Sequence, residues 1–150
     1  MSEISIQRED FDPGAEIAAL QDGSGAAGAI ATFIGIVRGD GGLSAMTLDH
    51  YPGMCESEIA VHAEEARKRW PILGLRIVHR TGELVPGDRI VFVGVASAHR
   101  QAAFQAAEFL MDYLKTRAPF WKLERRGAQA NWVDARSEDD ESVKRWQQPR

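Results

Sequence analysis

The stretch RIVFVGVASAHRQAAFQAAEFLMDYLKTR, residues 89–117, decides the fold because it joins two different hydrophobic patterns. Its first eight residues are almost continuously apolar, which is typical of a central β-strand that is buried on both faces. The remainder has apolar residues three or four positions apart, which is typical of an amphipathic helix. Ser97 suits the N-cap of this helix, and Pro119 favours its end near residue 117. We therefore predict a central strand followed by a long helix, whose core-facing stripe is Phe104, Ala107, Met111 and Leu114, with Ala103 and Leu110 beside it.

Shorter patterns on both sides predict the remaining elements. Alternating or β-branched segments predict strands, and one stripe with helical spacing, Ile59, Ala63, Ala66 and Trp70, predicts a second helix that Pro71 ends. The resulting order is β-β-α-β-β-α-β, which indicates an α+β domain with a mainly antiparallel sheet and two main helices. The additional strands are predicted over residues 26–37, 46–51, 75–80 and 120–124.

Length and composition favour one domain with a substantial core. The chain has 150 residues, of which 44% are hydrophobic and 27% are charged. We predict a single domain over residues 1–150, with an N-terminal extension at 1–25 and a polar C-terminal tail at 137–150. Because the one cysteine, Cys55, has no partner in the chain, an internal disulfide framework is excluded.

The charge is distributed unevenly along the chain. The net charge is −4, but residues 1–59 carry 2 basic and 10 acidic side chains, whereas residues 60–126 carry 12 basic and 7 acidic ones. The acidic average argues against a protein that coats duplex DNA. The basic middle segment is either a solvated face or the lining of a site for a small anion.

Targeting and metal-binding signals are not evident in the sequence. The N-terminal residues lack the basic and apolar regions of a signal peptide, and the longest apolar run, residues 90–96, is too short for a transmembrane helix. We therefore expect a cytoplasmic protein. The four histidines lack the spacing of metal ligands, so no metal is expected. The sequence has no Walker motif and no Gly-x-Gly-x-x-Gly after a strand, and no other cofactor is expected.

Basic residues at the ends of the predicted elements are candidates for a site. Arg38 ends the first strand at a glycine-rich loop, and His99 and Arg100 lie in the first helical turn, where backbone N–H groups attract anions. Lys115 lies near the end of the helix, and Lys122 can share a site with it only if the chain folds back at the proline between them. A lysine among other cations loses proton affinity and can serve as a nucleophile or general base.

Structural interpretations of the same residues remain open at this stage. Most lysines solvate a surface, and cations at a helix C-terminus are favourable without any function. His99 can be a capping residue and Arg38 can form a surface ion pair. Met111 is either a core residue or the wall of a ligand pocket. Cys55 is either an incidental thiol or, before a helix, a stabilised thiolate.

Several runs resemble the large, catalytic subunit of molybdopterin synthase, and the resemblance extends over about residues 26–146. These runs are Phe33-x-Gly35-x-Val37-Arg38, HYPGM (50–54), HRTGEL (79–84), VFVGVASAHR (91–100) and MDYLKTRAPFWK (111–122). The resemblance implies an α/β hammerhead fold with an added antiparallel sheet.

The resemblance also implies an activity and partners. The family is a sulfurtransferase of molybdenum cofactor biosynthesis, which converts precursor Z, a cyclic pyranopterin monophosphate, into molybdopterin by installing two sulfurs as a dithiolene. The sulfur arrives as a thiocarboxylate at the Gly-Gly C-terminus of a small ubiquitin-like subunit, and this tail enters a pocket of the large subunit. Two large subunits form the centre of a heterotetramer, and no membrane or nucleic acid is involved.

Site residues follow from matching positions in the family pattern. The resemblance assigns acid–base or nucleophilic work to Lys115 and contact with the thiocarboxylate to Lys122. Some of the other residues can come from the neighbouring protomer of the dimer. The predicted substrate-binding residues are Arg38, His99 and Arg100 at the phosphate, Ile36, Val37 and Glu124 at its border, Phe33 and Met111 as walls, and Arg136 near the pocket.

A different function class remains as the alternative. The same basic cluster would suit a non-catalytic adaptor that docks the C-terminal carboxylate of a ubiquitin-like protein. Such an adaptor would not need the phosphate-binding residues Arg38, His99 and Arg100.

Overall fold

The long apolar segment and the helix after it form the centre of the molecule, as β6 and α3. The computed structural model describes residues 3–116, 120–133 and 137–147. A short 3₁₀ turn, Asp40–Gly42, lies between β2 and β3. The elements in chain order are β1 (Ile4–Gln7), α1 (Pro13–Gly23), β2 (Ala29–Ile36), β3 (Ala45–His50), α2 (Met54–Arg69), β4 (Ile72–Arg80), β5 (Gly82–Leu84), β6 (Arg89–Ser97), α3 (Arg100–Thr116), β7 (Phe120–Arg126), β8 (Gln129–Val133) and α4 (Ser137–Gln147).

The strands form two four-stranded sheets. The core sheet has the order β1-β4-β6-β2, with β6 antiparallel to both neighbours and β1 parallel to β4. The second sheet has the order β5-β3-β7-β8 and is antiparallel throughout. The predicted α+β class with mainly antiparallel strands is therefore confirmed.

Helices cover both faces of the core sheet. Val91, Val93 and Val95 of β6 point to one face, where they share a buried cluster with α2 and α3. Phe92, on the opposite face, is buried with Phe11 beside α1. Because successive side chains of β6 point to opposite faces of the sheet, this strand contributes residues to two buried clusters. This explains why β6 is apolar at nearly every position. The predicted α2 stripe is buried as expected, at Ile59, Ala63, Ala66 and Trp70.

The predicted stripe of α3 is partly wrong. Phe104 is 64% exposed, whereas Ala107, Met111 and Leu114 are buried as predicted, together with the adjacent Ala103, Ala106 and Leu110. The small alanines let the helix approach the strands closely, and this orientation turns Phe104 outward. No helix in the described part of the chain is long and apolar enough to cross a membrane.

Ser97 is not the N-cap of α3. It is the last residue of β6, where it pairs with Ala29 and Ile72, and its Oγ donates a hydrogen bond to the Pro71 carbonyl at 2.8 Å. The helix begins three residues later, at Arg100. Pairing on both sides thus extends the strand through a residue whose type favours a cap.

Both ends of the chain contain structure that the sequence patterns did not predict. Asp12 caps α1 by accepting hydrogen bonds from the backbone N–H groups of Gly14 and Ala15. In α4, Val143 is fully buried, and the Trp146 indole donates a 2.6 Å hydrogen bond to Asp112 of α3. These segments are mostly polar, so their stability depends on a few tertiary contacts rather than on a strong hydrophobic period.

Candidate functional site

A pocket of about 560 Å³ lies where the C-terminal end of α3 meets the second sheet. This volume suits a small molecule. The sheet supplies its floor, and the segment after β2 supplies one side. The lining residues are Ile36, Val37, Arg38, Asp40, Leu43, Met46, Leu48, His79, Ile90, Leu114, Lys115, Thr116, Phe120, Trp121, Lys122, Glu124, Arg126, Trp132 and Val133.

Strand β7 brings the two candidate lysines together. Side chains two residues apart share a face of a strand, so Phe120, Lys122, Glu124 and Arg126 all project towards the pocket. Lys122 pairs with Leu48 of β3 on one side and with Val133 of β8 on the other. The chain therefore folds back after α3, as a shared site requires, and Lys115 lines the same pocket.

The pocket carries an excess of positive charge. Among its described lining residues, Arg38, Lys115, Lys122 and Arg126 are cationic, whereas Asp40 and Glu124 are acidic. Arg38 and Asp40 form an exposed ion pair at 3.4 Å, which water screens strongly. Such a surplus of cations in a concave site favours the binding of a small anion.

A buried histidine lies beside Lys115. The ring of His79 stacks on Phe120 with a centroid distance of 3.9 Å, and its Nδ1 lies 2.9 Å from the Arg80 carbonyl oxygen. Burial lowers the pKa of His79 to about 4; the bond to Arg80 opposes this shift, and the nearby Lys115 and His50 add to it. His79 is therefore neutral at pH 7, and Nδ1 carries the hydrogen because a carbonyl can only accept.

Acidification should destabilise the protein through His79. Its folded pKa lies near 4 and its ordinary value is 6.5, so between these values the unfolded chain binds the additional proton. The contribution of neutral His79 to the free energy of unfolding is complete above pH 6.5 and is lost as the pH falls towards 4. From pH 7 to pH 5 the free energy of unfolding should decrease by about 2 kcal/mol through this group alone.

Urea unfolding of a glutamine variant checks the contribution of His79. His79→Gln removes the titrating group, so between the two pH values it should lose about 2 kcal/mol less than the wild type. His99→Gln is the matched control, because His99 is exposed, and it should follow the wild type. An equal pH dependence for His79→Gln and the wild type would contradict the prediction.

Not all predicted site residues reach this pocket. Ile36, Val37, Arg38, Lys115, Lys122 and Glu124 line it, whereas Arg136 lies outside the described residues. Phe33 is 41% exposed on β2 and Met111 is buried in the core, and neither is among the residues that line this pocket within one chain.

His99 and Arg100 lie at the opposite end of α3 from Lys115. Helix α3 runs from Arg100 to Thr116, and Lys115 is in its last turn. At 1.5 Å per residue, the backbones of Arg100 and Lys115 are roughly 22 Å apart along the helix axis. One chain therefore does not bring these two groups into one site.

Four polar residues that line the pocket, Asp40, His79, Thr116 and Arg126, are not among the site residues predicted from the sequence. His79 begins the run HRTGEL (79–84), but only packing reveals that it is buried near Lys115. Arg126 follows another arginine, and the strand period was the available signal, because it places residue 126 on the same face as Lys122 and Glu124.

Cys55 takes no part in this pocket. It is fully buried at the start of α2. Burial raises the pKa of its thiol to about 12, and the nearby carboxylates of Glu56 and Glu58 contribute to this rise. The alternative of a stabilised thiolate is therefore wrong, and Cys55 is a protonated core residue at neutral pH.

Fold and pocket together define an α+β protein with a concave pocket in which cationic side chains outnumber acidic ones among the described lining residues. The family model described as MoaE protein matches residues 6–117. The chain is 56% identical over 146 residues to the molybdopterin synthase catalytic subunit of Mesorhizobium japonicum. The aligned region covers 95% of this chain and 92% of that relative.

Solved structures agree with this match. The molybdopterin biosynthesis MoaE protein of Burkholderia ambifaria superposes with a TM-score of 0.86 at 49% identity, covering 99% of this chain and 100% of that one. A complex of subunits 1 and 2 of molybdopterin-converting factor from Helicobacter pylori shares the fold, with a TM-score of 0.77 at 21% identity and coverage of 91% and 93%. The chain belongs to the MoaE protein family of molybdopterin synthase catalytic subunits, which act in molybdenum cofactor biosynthesis.

Proposed function

We propose that the chain transfers sulfur from the thiocarboxylated C-terminus of a small ubiquitin-like subunit to precursor Z, forming the dithiolene of molybdopterin. The observation that carries the proposal is one pocket that contains Lys115, Lys122 and Arg38 with an excess of positive charge. The substrate phosphate and the thiocarboxylate are both anionic, so both are attracted to it. Because Cys55 is buried and protonated, a sulfur supplied by another protein fits the chain well.

The two lysines have different tasks in this proposal. Lys122 extends from the centre of β7 and meets the incoming thiocarboxylate, whose charge it balances. Lys115 lies beside the neutral His79 and moves protons to and from the pterin as the sulfur adds. Arg38 contacts the phosphate, whose cyclic ester must open, and preorganised cations stabilise the negative charge that develops there.

Aromatic side chains at the rim of the pocket provide a binding surface for the C-terminal tail of the small subunit. Trp121 and Trp132 line the pocket and are substantially exposed, and Trp121 packs on Tyr51 with a centroid distance of 4.3 Å. An extended Gly-Gly tail has no side chains that would obstruct its approach to the pocket. The complex solved for the Helicobacter pylori protein supports a two-subunit assembly for this chain as well.

A second copy of the chain would complete the site. His99 and Arg100 lie roughly 22 Å from Lys115 along α3, so they can serve the same substrate only from a neighbouring protomer. Arg100 would then add a bidentate contact to the phosphate. This arrangement agrees with a homodimer at the centre of a heterotetramer.

Reconstitution from purified components tests the proposal. The chain is incubated with thiocarboxylated partner and precursor Z, and molybdopterin is measured after oxidation to a fluorescent derivative. Product should form only with the thiocarboxylate, whereas partner that ends in an ordinary Gly-Gly carboxylate should bind and give none. The absence of product from folded, partner-bound wild type would refute sulfur transfer and favour the adaptor.

A further inference from the structure

Arg126, at the end of β7, contacts both the turn after β2 and a neighbouring carboxylate of the pocket. It lies on the pocket face of the strand, four residues beyond Lys122, and lines the same pocket. Its Nε donates a hydrogen bond to the Gly41 carbonyl oxygen at 3.1 Å, and its Nη1 donates one to Glu124 Oε1, also at 3.1 Å. One guanidinium thus joins the turn after β2 to the second sheet.

These two bonds fix the orientation of the guanidinium. Glu124 has only 16% of its side chain exposed, so its charge needs a close cation, which Arg126 supplies. A guanidinium has five N–H donors in a planar fork, and these bonds use two of them. Because the plane is held at Nε and Nη1, the orientation of the remaining donors is also fixed.

The same contact holds the turn from which Arg38 extends. Both ends of the turn are anchored: Val37 N–H donates to the Asp88 carbonyl at 2.9 Å, and Ser44 N–H donates to the Arg125 carbonyl at 2.9 Å. Between these anchors, Gly41 has a φ of 64°, the left-handed region that glycine adopts most easily. Arg126 binds the centre of the turn, at the carbonyl of that residue.

We propose that Arg126 is a second arginine of the anion subsite, oriented by Glu124 and Gly41, which contacts the substrate phosphate together with Arg38. The inference rests on the proposed function for the identity of the substrate, and it deepens that function by assigning a further binding residue. A planar fork held at two points suits the tetrahedral oxygens of a phosphate better than a mobile lysine does.

Phosphate binding tests the inference without any turnover. Inorganic phosphate is titrated into the whole chain, and binding is followed by calorimetry and by tryptophan fluorescence, because two of the four tryptophans, Trp121 and Trp132, line the pocket. Arg126→Ala should raise the Kd for phosphate at least about tenfold, the loss expected for a charge-assisted hydrogen bond. Arg125→Ala is the matched control, because this neighbour is exposed and alternates to the opposite face of β7; it should bind phosphate as the wild type does.

Turnover kinetics provide the second measurement. With precursor Z, Arg126→Ala should raise KM about tenfold and leave kcat within about threefold, since the residue binds the anion rather than moving protons. Arg126→Gln keeps hydrogen-bonding capacity without the charge and should show the same rise in KM. It is the control for the case in which the alanine variant misfolds.

The two measurements separate the inference from the proposed function. If wild type binds phosphate and both Arg126 variants bind it as tightly as Arg125→Ala does, the anion subsite is wrong even when turnover is normal. If wild type shows no turnover but binds phosphate, and only the Arg126 variants bind it more weakly, the sulfur-transfer proposal fails and the anion subsite stands. Wild type that binds no phosphate at all would also overturn the inference.

Discussion

Replacing Lys115 with alanine should lower the rate of molybdopterin formation by about 10²- to 10⁴-fold, the range that general acid–base catalysis contributes. Lys115 lies in the last turn of α3, lines the pocket and is close enough to His79 to lower that residue's pKa. Its removal takes away the proton-transferring group but leaves the fold of the sheet intact. Rates are measured in single turnovers with thiocarboxylated partner and precursor Z.

Two controls test whether the loss of rate is specific to Lys115 and independent of partner docking. Lys68→Ala changes an exposed lysine on α2 and should leave the rate unchanged. Docking of the partner, measured by calorimetry, should survive in Lys115→Ala, because the rim residues Trp121 and Trp132 are untouched. Full activity of Lys115→Ala would refute the role assigned to this lysine, whereas the family assignment would remain.

Mixing two inactive variants should restore about a quarter of the wild-type activity if each site uses both copies of the chain. Lys115→Ala and Arg100→Ala would each impair both sites of their own dimers. In a mixed dimer, one site carries both substitutions and the other carries neither, since Lys115 and Arg100 come from different protomers. Random exchange makes about half of the dimers mixed, and half of their sites are intact.

The opposite arrangement predicts a different outcome. If Lys115 and Arg100 of one chain served the same site, every site of a mixed dimer would carry one substitution, and mixing would restore nothing. The variants are unfolded together, refolded and assayed, with each variant refolded alone as the control. Lack of recovery in dimers shown by mass spectrometry to be mixed would contradict the shared site.

Local patterns predicted much of the fold and part of the site. The apolar segment and the helix after it became β6 and α3, and the α2 stripe is buried as its spacing indicated. The predictions failed where tertiary contacts outweigh local preference. Ser97 extends a strand because it pairs on both sides, and α4 is held by Val143 and Trp146, two anchors in a polar segment.

The sequence by itself determined the α+β class, the family resemblance and the lysine pair, because hydrophobic period and motif are properties of neighbouring residues. Only the tertiary structure decided which groups share the pocket. The pairing of β3 with β7 and the return of the chain after α3 bring the face of β7 that carries Lys122, Glu124 and Arg126 to the same pocket as Lys115, and packing buries His79 there. The length of α3 separates Arg100 from that pocket. Register and burial depend on contacts between residues far apart in the chain, which no local pattern specifies.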